Sequence, residues 1–258
     1  MLHPLAGKRV VVTRAEGQSV ELIARLREAG AVPIVFPTID IVPLEDYSQL
    51  DGALHHLYDY QWIIFTSVNG VRNVFARMEA LGILPTAFAG NSVAAVGPVT
   101  AALLEQHGVE VTLCPEEYVA EAILSALAER GDVSGKRVLL LRVEVARAVL
   151  RNELLAAGAQ VDEVAVYRTA LGKPEVAAYA ELKAGADILT FTSSSTVKNF
   201  VTLLGDEAYR CAKNAVIACI GPITAQTARE LGFQVAIVAA DSTVAGLLVA
   251  LEKTLANG

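Results

Sequence analysis

The chain has 258 residues, of which 53% are hydrophobic and 19% charged, and its formal net charge is −7. This length holds one large domain or two modest ones, and the composition is that of a globular protein with a full core. The acidic balance without any Lys/Arg run argues against a nucleic-acid partner, and the longest apolar runs are too short to span a bilayer.

Cysteine usage and the first residues bear on the cellular compartment. Cys114, Cys211 and Cys219 are odd in number and lack Cys-x-x-Cys spacing, so the sequence predicts neither a disulfide framework nor a zinc site. The opening stretch MLHPLAGKR contains no apolar segment of the secretory-signal type. We therefore expect a cytoplasmic protein with reduced thiols and no membrane association.

Strand and helix patterns alternate along the whole chain. Residues 71–81 repeat apolar side chains at helical spacing, and Gly82 then ends the helix. The predicted strands are the apolar runs VVVT, IVF, WIIF, VAAV and VTL in the first half, and VLLL, VAVY, ILTF, IACI and VAIV in the second. Strands that are apolar at every position are typical of parallel sheets covered on both faces.

The two halves of the chain repeat one another. FTSVNGVRNVF at 65–75 returns as FTSSSTVKNFV at 191–201, and KRVVVTR from Lys8 returns as KRVLLLR from Lys136. The separation stays between 124 and 128 residues over four blocks, which indicates a duplicated unit. Five strands per unit with crossover helices predict an α/β protein of two flavodoxin-like domains, each a doubly wound parallel sheet.

Hydroxyl side chains follow predicted strands at equivalent places in both halves. Thr66-Ser67 and Thr192-Ser193-Ser194-Ser195 each lie between a strand and a helix, as do the Gly-Pro-x-Thr turns at 97–100 and 221–224. Helix N-termini at strand ends favour anions, because their N–H groups are unpaired and the helix dipole is positive there. Each site alone is usually only a helix cap. The four together predict a cleft between two domains that binds one large polyanion.

No standard catalytic motif accompanies these strand ends. The four histidines lack metal-ligand spacing, and the chain has no GxSxG, HExxH, P-loop or GxGxxG motif. Tyr167 ends the strand VDEVAVY, where it either faces the cleft as a proton donor or packs as an ordinary strand residue. Arg14, Arg142 and Arg147 lie near strand ends and either bind ligand carboxylates or form surface ion pairs.

The division of the chain into domains has two solutions on the residues alone. A single cut near 129–136 separates the two copies. Alternatively, FPTIDIVP at 36–43 and VYRTALGKP at 166–174 are both crossings between domains. In that case the first strand–helix–strand segment belongs with the C-terminal half, and the domain between the crossings is an insertion.

In their order along the chain, these blocks resemble the uroporphyrinogen-III synthase family. The segments that carry the resemblance are VVVTR, FTSVNGV, AVGPVTA, GKRVLLLR, GAQVDEVAVYRT, DILTFTSSSTVKNF, IGPITAQTARELGF and VAADSTVAGLLVAL. The resemblance implies two flavodoxin-like domains joined by a two-stranded linker. It favours the double crossing, with domain 1 at 1–37 and 172–258, domain 2 inserted at 43–165, and linkers at 38–42 and 166–171.

The resemblance also implies a reaction. Hydroxymethylbilane, a linear tetrapyrrole with eight carboxylates, loses water and closes with inversion of ring D to uroporphyrinogen III, without a cofactor or metal. Loss of the hydroxyl gives an azafulvene, and attack by the substituted carbon of ring D gives a spirocyclic pyrrolenine that fragments and recloses inverted. The protein then mainly holds one substrate conformation and supplies one proton donor.

Site residues and partners follow from the same resemblance. Tyr167 is the implied catalytic donor. The residues implied to bind the substrate carboxylates are Thr66, Ser67, Asn69, Thr100, Arg147, Thr192, Ser193, Ser194 and Thr224. The expected partners are hydroxymethylbilane itself and, by substrate handover, hydroxymethylbilane synthase, and we expect the protein to be a monomer.

Two other classes of function compete with this interpretation. A non-catalytic two-lobed ligand-binding or regulatory module is favoured by a signal peptide or an appended helix-turn-helix, and neither is visible in the sequence. An enzyme acting on a sugar phosphate or nucleotide requires a carboxylate or His beside the Thr-Ser segments, and none is found there. A synthase-like regulator without activity stays open as a further alternative.

Overall fold

The structure, a computed structural model, describes residues 3–115, 123–127, 133–146 and 148–256. The chain divides into two compact units, of which unit 1 is Met1–Ile41 with Ala170–Gly258 and unit 2 is Val42–Thr169. Each unit is built around one five-stranded sheet. This arrangement confirms the predicted α/β class with two sheets in which parallel pairs dominate.

The strands are short, and most are buried at every position. In chain order they are β1 (Arg9–Val12), β2 (Val32–Val35), β3 (Ile39–Val42), β4 (Trp62–Phe65), β5 (Ser92–Ala95), β6 (Arg137–Val143), β7 (Gln160–Leu171), β8 (Ile188–Phe191), β9 (Val216–Cys219) and β10 (Val235–Val238). The sheet of unit 1 has the order β10-β9-β8-β1-β2, and all its neighbours are parallel. The sheet of unit 2 has the order β3-β7-β6-β4-β5.

Helices connect the strands in both units. They are α1 (Glu16–Glu28), α2 (Ser48–His55), α3 (Val68–Leu81), α4 (Pro98–Gln106), α5 (Val149–Ala156), α6 (Val176–Lys183), α7 (Ser194–Leu204), α8 (Glu207–Ala212), α9 (Pro222–Glu230) and α10 (Val244–Ala256). Two 3-10 turns, Leu57–Asp59 and Pro85–Phe88, belong to unit 2, and residues 123–127 are helical as well. Within the described residues, no helix is both long enough and apolar enough to cross a bilayer.

Both faces of the unit 1 sheet are covered by helices. Alternate residues of one strand enter different cores: Val10 and Val12 pack with Leu22 of α1, whereas Val11 packs with Phe200 of α7. Burying such a side chain completely contributes about 1.5–3 kcal/mol, so strands apolar at every position are stable only when they are covered on both sides. This is why the continuous apolar runs correctly indicate a doubly wound sheet.

The sequence repeat is also a repeat of strand register. Val12 pairs with Val35 between β1 and β2, and the residues 128 positions later, Leu140 and Glu163, pair between β6 and β7. The pairing of β8 with β9 is likewise reproduced by β4 with β5. The halves therefore carry the same local fold, and residues at equivalent sequence positions are equivalent in space within their own units.

One predicted strand is wrong. The run VTL at 111–113 makes only a single bridge, between Ala94 and Leu113, instead of a strand equivalent to β10. The Thr112 hydroxyl accepts a hydrogen bond from the Val93 N–H at 3.2 Å, and Thr112 N and Leu113 N both donate to Val93 O. This crowded pairing at one residue interrupts the regular ladder that a longer strand requires.

The two boundaries between the units fall inside β3 and β7, which are neighbours in the sheet order. Just beyond them the chain segments approach closely, since Gly172 N donates to Thr38 O at 2.9 Å. A Cβ atom at Gly172 would lie 2.6 Å from the Thr38 carbonyl carbon and still closer to the Pro37 carbonyl oxygen. Gly172 is therefore required for the close approach of two backbones.

Candidate functional site

Apart from Arg147, the predicted site residues lie at or beside the carboxyl edges of the two sheets, one edge in each unit. In unit 2, the edge contains the end of β4 with the start of α3, and the end of β5 with the start of α4. In unit 1, the equivalent places are the end of β8 with the start of α7, and the end of β9 with the start of α9. Helices begin here because a Ser or a Gly-Pro pair follows each strand.

Ser67 and Tyr167 meet at the unit 2 edge. The Ser67 hydroxyl caps α3 by accepting a hydrogen bond from Gly70 N at 3.0 Å, and it lies 3.3 Å from the Tyr167 hydroxyl. Tyr167 is only 7% exposed, so its ring is fixed by packing while the hydroxyl reaches the helix cap. These two residues are 100 positions apart in the sequence, and the fold brings them together.

Strand β7 has a bulge immediately before Tyr167. The register between β6 and β7 shifts after Arg142, which pairs with Ala165, so that Val143 pairs with Tyr167. Glu144 N then donates to Tyr167 O at 2.9 Å. An extra residue in one strand redirects the side chains that follow it, and such bulges are common beside functional sites. Unit 1 has no tyrosine at the equivalent position, where Ile39 stands 128 residues earlier.

The remaining predicted residues of unit 2 flank this pair. Thr66 is half-buried and donates to Leu141 O at 3.4 Å. Asn69 and Thr100 are buried in the first turns of α3 and α4. Arg147 lies outside the described residues, and its predicted role therefore stays a prediction.

Unit 1 carries the equivalent hydroxyl edge with a stronger helix cap. Ser193 caps α7 by accepting from Thr196 N at 3.2 Å, and the Thr196 hydroxyl in turn accepts from Ser193 N at 3.2 Å. Ser194 shares a hydrogen bond of 2.7 Å with the Thr227 hydroxyl of α9. Thr192 is half-buried after β8, and Thr224 is buried in the first turn of α9.

Two polar residues of unit 1 were missed by the sequence reasoning. Thr196 completes the capping box of α7 as its N3 residue. The Ser-x-x-Thr spacing from Ser193 indicates such a box, although Glu or Gln is the usual residue at N3. Thr227 binds Ser194 from a neighbouring helix. No local pattern indicates a contact between residues 33 positions apart, so this pairing required the fold.

The edge also exposes apolar side chains at equivalent positions. Val99 follows Pro98 in α4 and is 67% exposed, and Ile223 follows Pro222 in α9 and is 47% exposed. Each lies beside a buried Thr, Thr100 or Thr224. The edge of each unit therefore presents helix amides together with one apolar side chain, a combination suited to an amphipathic anion.

Two other side chains near the unit 2 edge, the cation Arg142 and the thiol Cys114, are not suited to act on a ligand. Arg142 is buried and forms an ion pair with Glu163, the Nη1–Oε1 distance being 3.1 Å. Burial raises the pKa of the Cys114 thiol, although a backbone hydrogen bond at Gly97 acts in the opposite direction. A thiol with a raised pKa is a poor nucleophile at neutral pH. Among the described residues, no three His, Cys, Asp or Glu side chains are grouped as metal ligands.

Comparison with known proteins gives a consistent result over the whole chain. Residues 20–249 match the family described as uroporphyrinogen-III synthase HemD. The chain is similar to the uroporphyrinogen-III synthase of Synechococcus elongatus, with 36% identity over 97% of both chains.

Solved structures show the same fold at lower sequence identity. A mutant uroporphyrinogen III synthase from Thermus thermophilus is 19% identical, with a TM-score of 0.68 over 98% of this chain and 100% of its own. The uroporphyrinogen-III synthetase from Helicobacter pylori is 21% identical, with a TM-score of 0.62 over 98% of this chain and 100% of its own.

Proposed function

The chain belongs to the uroporphyrinogen-III synthase family, and on that premise we propose that it converts hydroxymethylbilane to uroporphyrinogen III, with inversion of ring D. It is then a lyase of tetrapyrrole biosynthesis. A non-catalytic binding or regulatory module is not favoured, because two relatives that match the chain over 97% and 94% of its length are named as synthases.

The observation that carries the proposal is the hydroxyl pair of Ser67 and Tyr167, 3.3 Å apart at the carboxyl edge of unit 2. The dehydration needs one proton donor at the departing hydroxyl, and a phenol can serve at neutral pH. Ser67 Oγ already accepts from Gly70 N, so its position is fixed by the helix. In our proposal Ser67 holds the Tyr167 hydroxyl in place, and Tyr167 donates to the substrate.

The chemistry can be followed through these residues. The pyrrole nitrogen of the substrate drives out the hydroxyl, which takes a proton from Tyr167 and leaves as water. The resulting azafulvene is attacked by the substituted carbon of ring D to give the spirocyclic pyrrolenine, which fragments and recloses in the inverted sense. The closing ring loses a proton as it regains aromaticity, which restores the proton of Tyr167. No oxidant or reductant is needed, so the steps balance.

The four helix N-termini supply the carboxylate sites in this proposal. The first amides of a helix have no acceptor within the helix, and the dipole favours negative charge there. The residues proposed to bind the carboxylates are Thr66, Ser67, Asn69, Thr100, Thr192, Ser193, Ser194 and Thr224, with Arg147 on the same sequence grounds. Val99 and Ile223 would contact the apolar faces of the pyrroles. Holding eight carboxylates fixes one conformation of the substrate, which is the main catalytic task.

Several finer expectations accompany the proposal. We propose that hydroxymethylbilane synthase hands its product over directly, that the protein is monomeric, and that it acts in the cytoplasm. We also propose that residues 1–37 with 172–258 form one domain and residues 43–165 the other, with residues 38–42 and 166–171 as linkers. The net charge of −7 opposes the approach of a polyanionic substrate, so raising the ionic strength should increase the rate of association.

A coupled assay tests the function. Hydroxymethylbilane is generated in situ by hydroxymethylbilane synthase, the protein is added, and the oxidised porphyrin isomers are separated chromatographically. Isomer III in large excess supports the proposal, whereas the uncatalysed isomer I alone, from a protein shown to be folded by circular dichroism, would refute it. Omission of the protein gives the uncatalysed background.

A further inference from the structure

Two arginines at equivalent positions of the repeat differ in their surroundings. Arg14 follows β1 in unit 1, and Arg142, 128 residues later, lies in β6 of unit 2. The side chain of Arg142 is 9% exposed, and its guanidinium is ion-paired with Glu163 of β7. A second arginine, Arg151, also approaches Glu163, at 3.4 Å. Arg142 therefore has a carboxylate partner within unit 2, which it shares with Arg151.

Unit 1 has no acid at the position equivalent to Glu163. The residue equivalent to Glu163 is Val35, and the strand registers coincide, since Val35 pairs with Val12 as Glu163 pairs with Leu140. Over the described ranges, no carboxylate lies within ion-pair distance of Arg14. Its Nε instead donates to the neutral Gln18 Oε1 at 3.2 Å.

The surroundings of Arg14 make its charged form less stable. The side chain is half-buried, and burial lowers its pKa, while Glu21 on α1 acts in the opposite direction. Glu21 is itself ion-paired with Arg25 at 2.9 Å. The guanidinium nevertheless stays charged at any physiological pH, because the ordinary pKa of arginine is above 12. A half-buried cation without a carboxylate partner is stabilised when an anion binds to it.

The place of Arg14 in the sheet is where ligands enter folds of this kind. β1 and β8 are neighbours in the sheet, but the chain continues from β1 to β2 on one side and from β8 to β9 on the other. The helices that follow, α1 and α7, pack on opposite faces of the sheet, so the strand order reverses between β1 and β8. Ligands of open α/β sheets bind at this switch point, beyond the carboxyl ends of the strands. Since Val12 pairs with Thr190, Arg14 follows β1 beside Thr192, which follows β8.

We infer that Arg14 is a carboxylate-binding residue of unit 1, and that Val35, at the position where unit 2 has Glu163, leaves its guanidinium available to the ligand. The inference rests on the proposed function for the identity of the ligand, a side-chain carboxylate of the tetrapyrrole. Arg142 does not take the equivalent role in unit 2, where Glu163 occupies its guanidinium. At this strand end the two units therefore differ, because Arg14 binds a carboxylate of the ligand in unit 1 and its counterpart Arg142 in unit 2 does not.

The test compares three variants in the binding of uroporphyrin III, a stable fluorescent octacarboxylate, by anisotropy at low and moderate salt. Arg14→Gln should weaken binding about 10- to 100-fold, the effect expected for one charge-assisted hydrogen-bonded pair. Val35→Glu, which recreates the acid of unit 2, should weaken binding to a similar degree without touching Arg14 itself. Arg27→Gln makes the same charge change at the exposed opposite end of α1 and should leave binding within about twofold of wild type.

The outcomes separate this inference from the proposed function. Equal binding by Arg14→Gln and wild type, an equal loss in Arg27→Gln, or no binding of uroporphyrin by wild type would overturn the role of Arg14. Should Arg14→Gln fail to fold, Val35→Glu decides the question, and unaltered binding in that variant would likewise overturn it. The synthase proposal is tested separately, by the coupled assay, and fails if that assay gives isomer I alone. A wild-type protein without synthase activity could still bind uroporphyrin III through Arg14, so the two failures are distinguishable.

Discussion

The hydroxyl of Tyr167 lies 3.3 Å from the hydroxyl of Ser67, and Ser67 in turn caps helix α3 through Gly70 N. The phenol is thus connected through one side chain to the N-terminus of a helix. Such a connection fixes the position of the phenol and places it next to unpaired amides that favour anions. Unit 1 repeats the serine cap at Ser193, but not the tyrosine. The duplicated fold therefore carries its proposed proton donor on one unit only.

Tyr167→Phe should lower kcat about 10²-fold, because the substitution removes the proposed proton donor but keeps the buried ring. Steady-state kinetics in the coupled assay measures this. The control is Tyr179→Phe, which removes the hydroxyl of a partly buried tyrosine in unit 1, away from the proposed proton donor in unit 2, and should leave kcat unchanged. An unaltered kcat in Tyr167→Phe would remove the phenol from the mechanism.

Ser67→Ala and Ser193→Ala form a matched pair of cap deletions. Each should lower the free energy of unfolding by about 1 kcal/mol, the usual cost of losing an N-cap side chain. Ser67→Ala should lower kcat by about five- to tenfold, and more than Ser193→Ala does, because it alone removes the partner of Tyr167. Urea unfolding gives the stabilities, and the coupled assay gives the rates. Equal kcat values in the two variants would show that Ser67 acts only as a helix cap.

Gly172→Ala should destabilise the protein by about 1–3 kcal/mol, because the new methyl group would meet the backbone of Pro37 and Thr38. The hydrogen bond from Gly172 N to Thr38 O would then be strained or lost. The melting temperature measures the effect. Gly52→Ala on α2 is the control, since a Cβ there meets no atom within 4 Å, and it should be neutral or slightly stabilising. A loss no greater in Gly172→Ala than in this control would contradict the close approach.

Tyr60 should make the protein less stable at high pH. Burial, followed by a hydrogen bond to Asp162, raises the pKa of Tyr60 to about 12. A tyrosine whose pKa is higher in the folded than in the unfolded state stabilises the fold fully below about pH 10, and that stabilisation is lost as the pH rises towards about 12. Urea unfolding at several pH values between about 8 and 11.5 should show a decline that is shallower in Tyr60→Phe. The same slope in both proteins would rule out this contribution.

Much of the fold follows from local patterns, because strands apolar at every position require cover on both faces. The repeat then locates equivalent strand ends such as Ser67 and Ser193. The failure at VTL has a local cause, since the Val93 N–H donates to the Thr112 hydroxyl instead of to a backbone carbonyl. What the sequence does not contain is which distant side chains meet. The contact of Ser67 with Tyr167, and the pairing of Arg142 but not Arg14 with an acid, depend on register between strands and appear only in the folded chain.

Hydrogen–deuterium exchange with and without uroporphyrin III tests most directly the proposal that the strand-end edge of each unit binds carboxylates of the tetrapyrrole. The first amides of α3, α4, α7 and α9 have no acceptor within their helices and should exchange fast in the free protein. We predict that the ligand slows exchange at residues 68–69 and 99–100 of unit 2 and at residues 194–195 and 223–224 of unit 1. Slower exchange confined to one unit, or located away from these helix N-termini, would contradict the account.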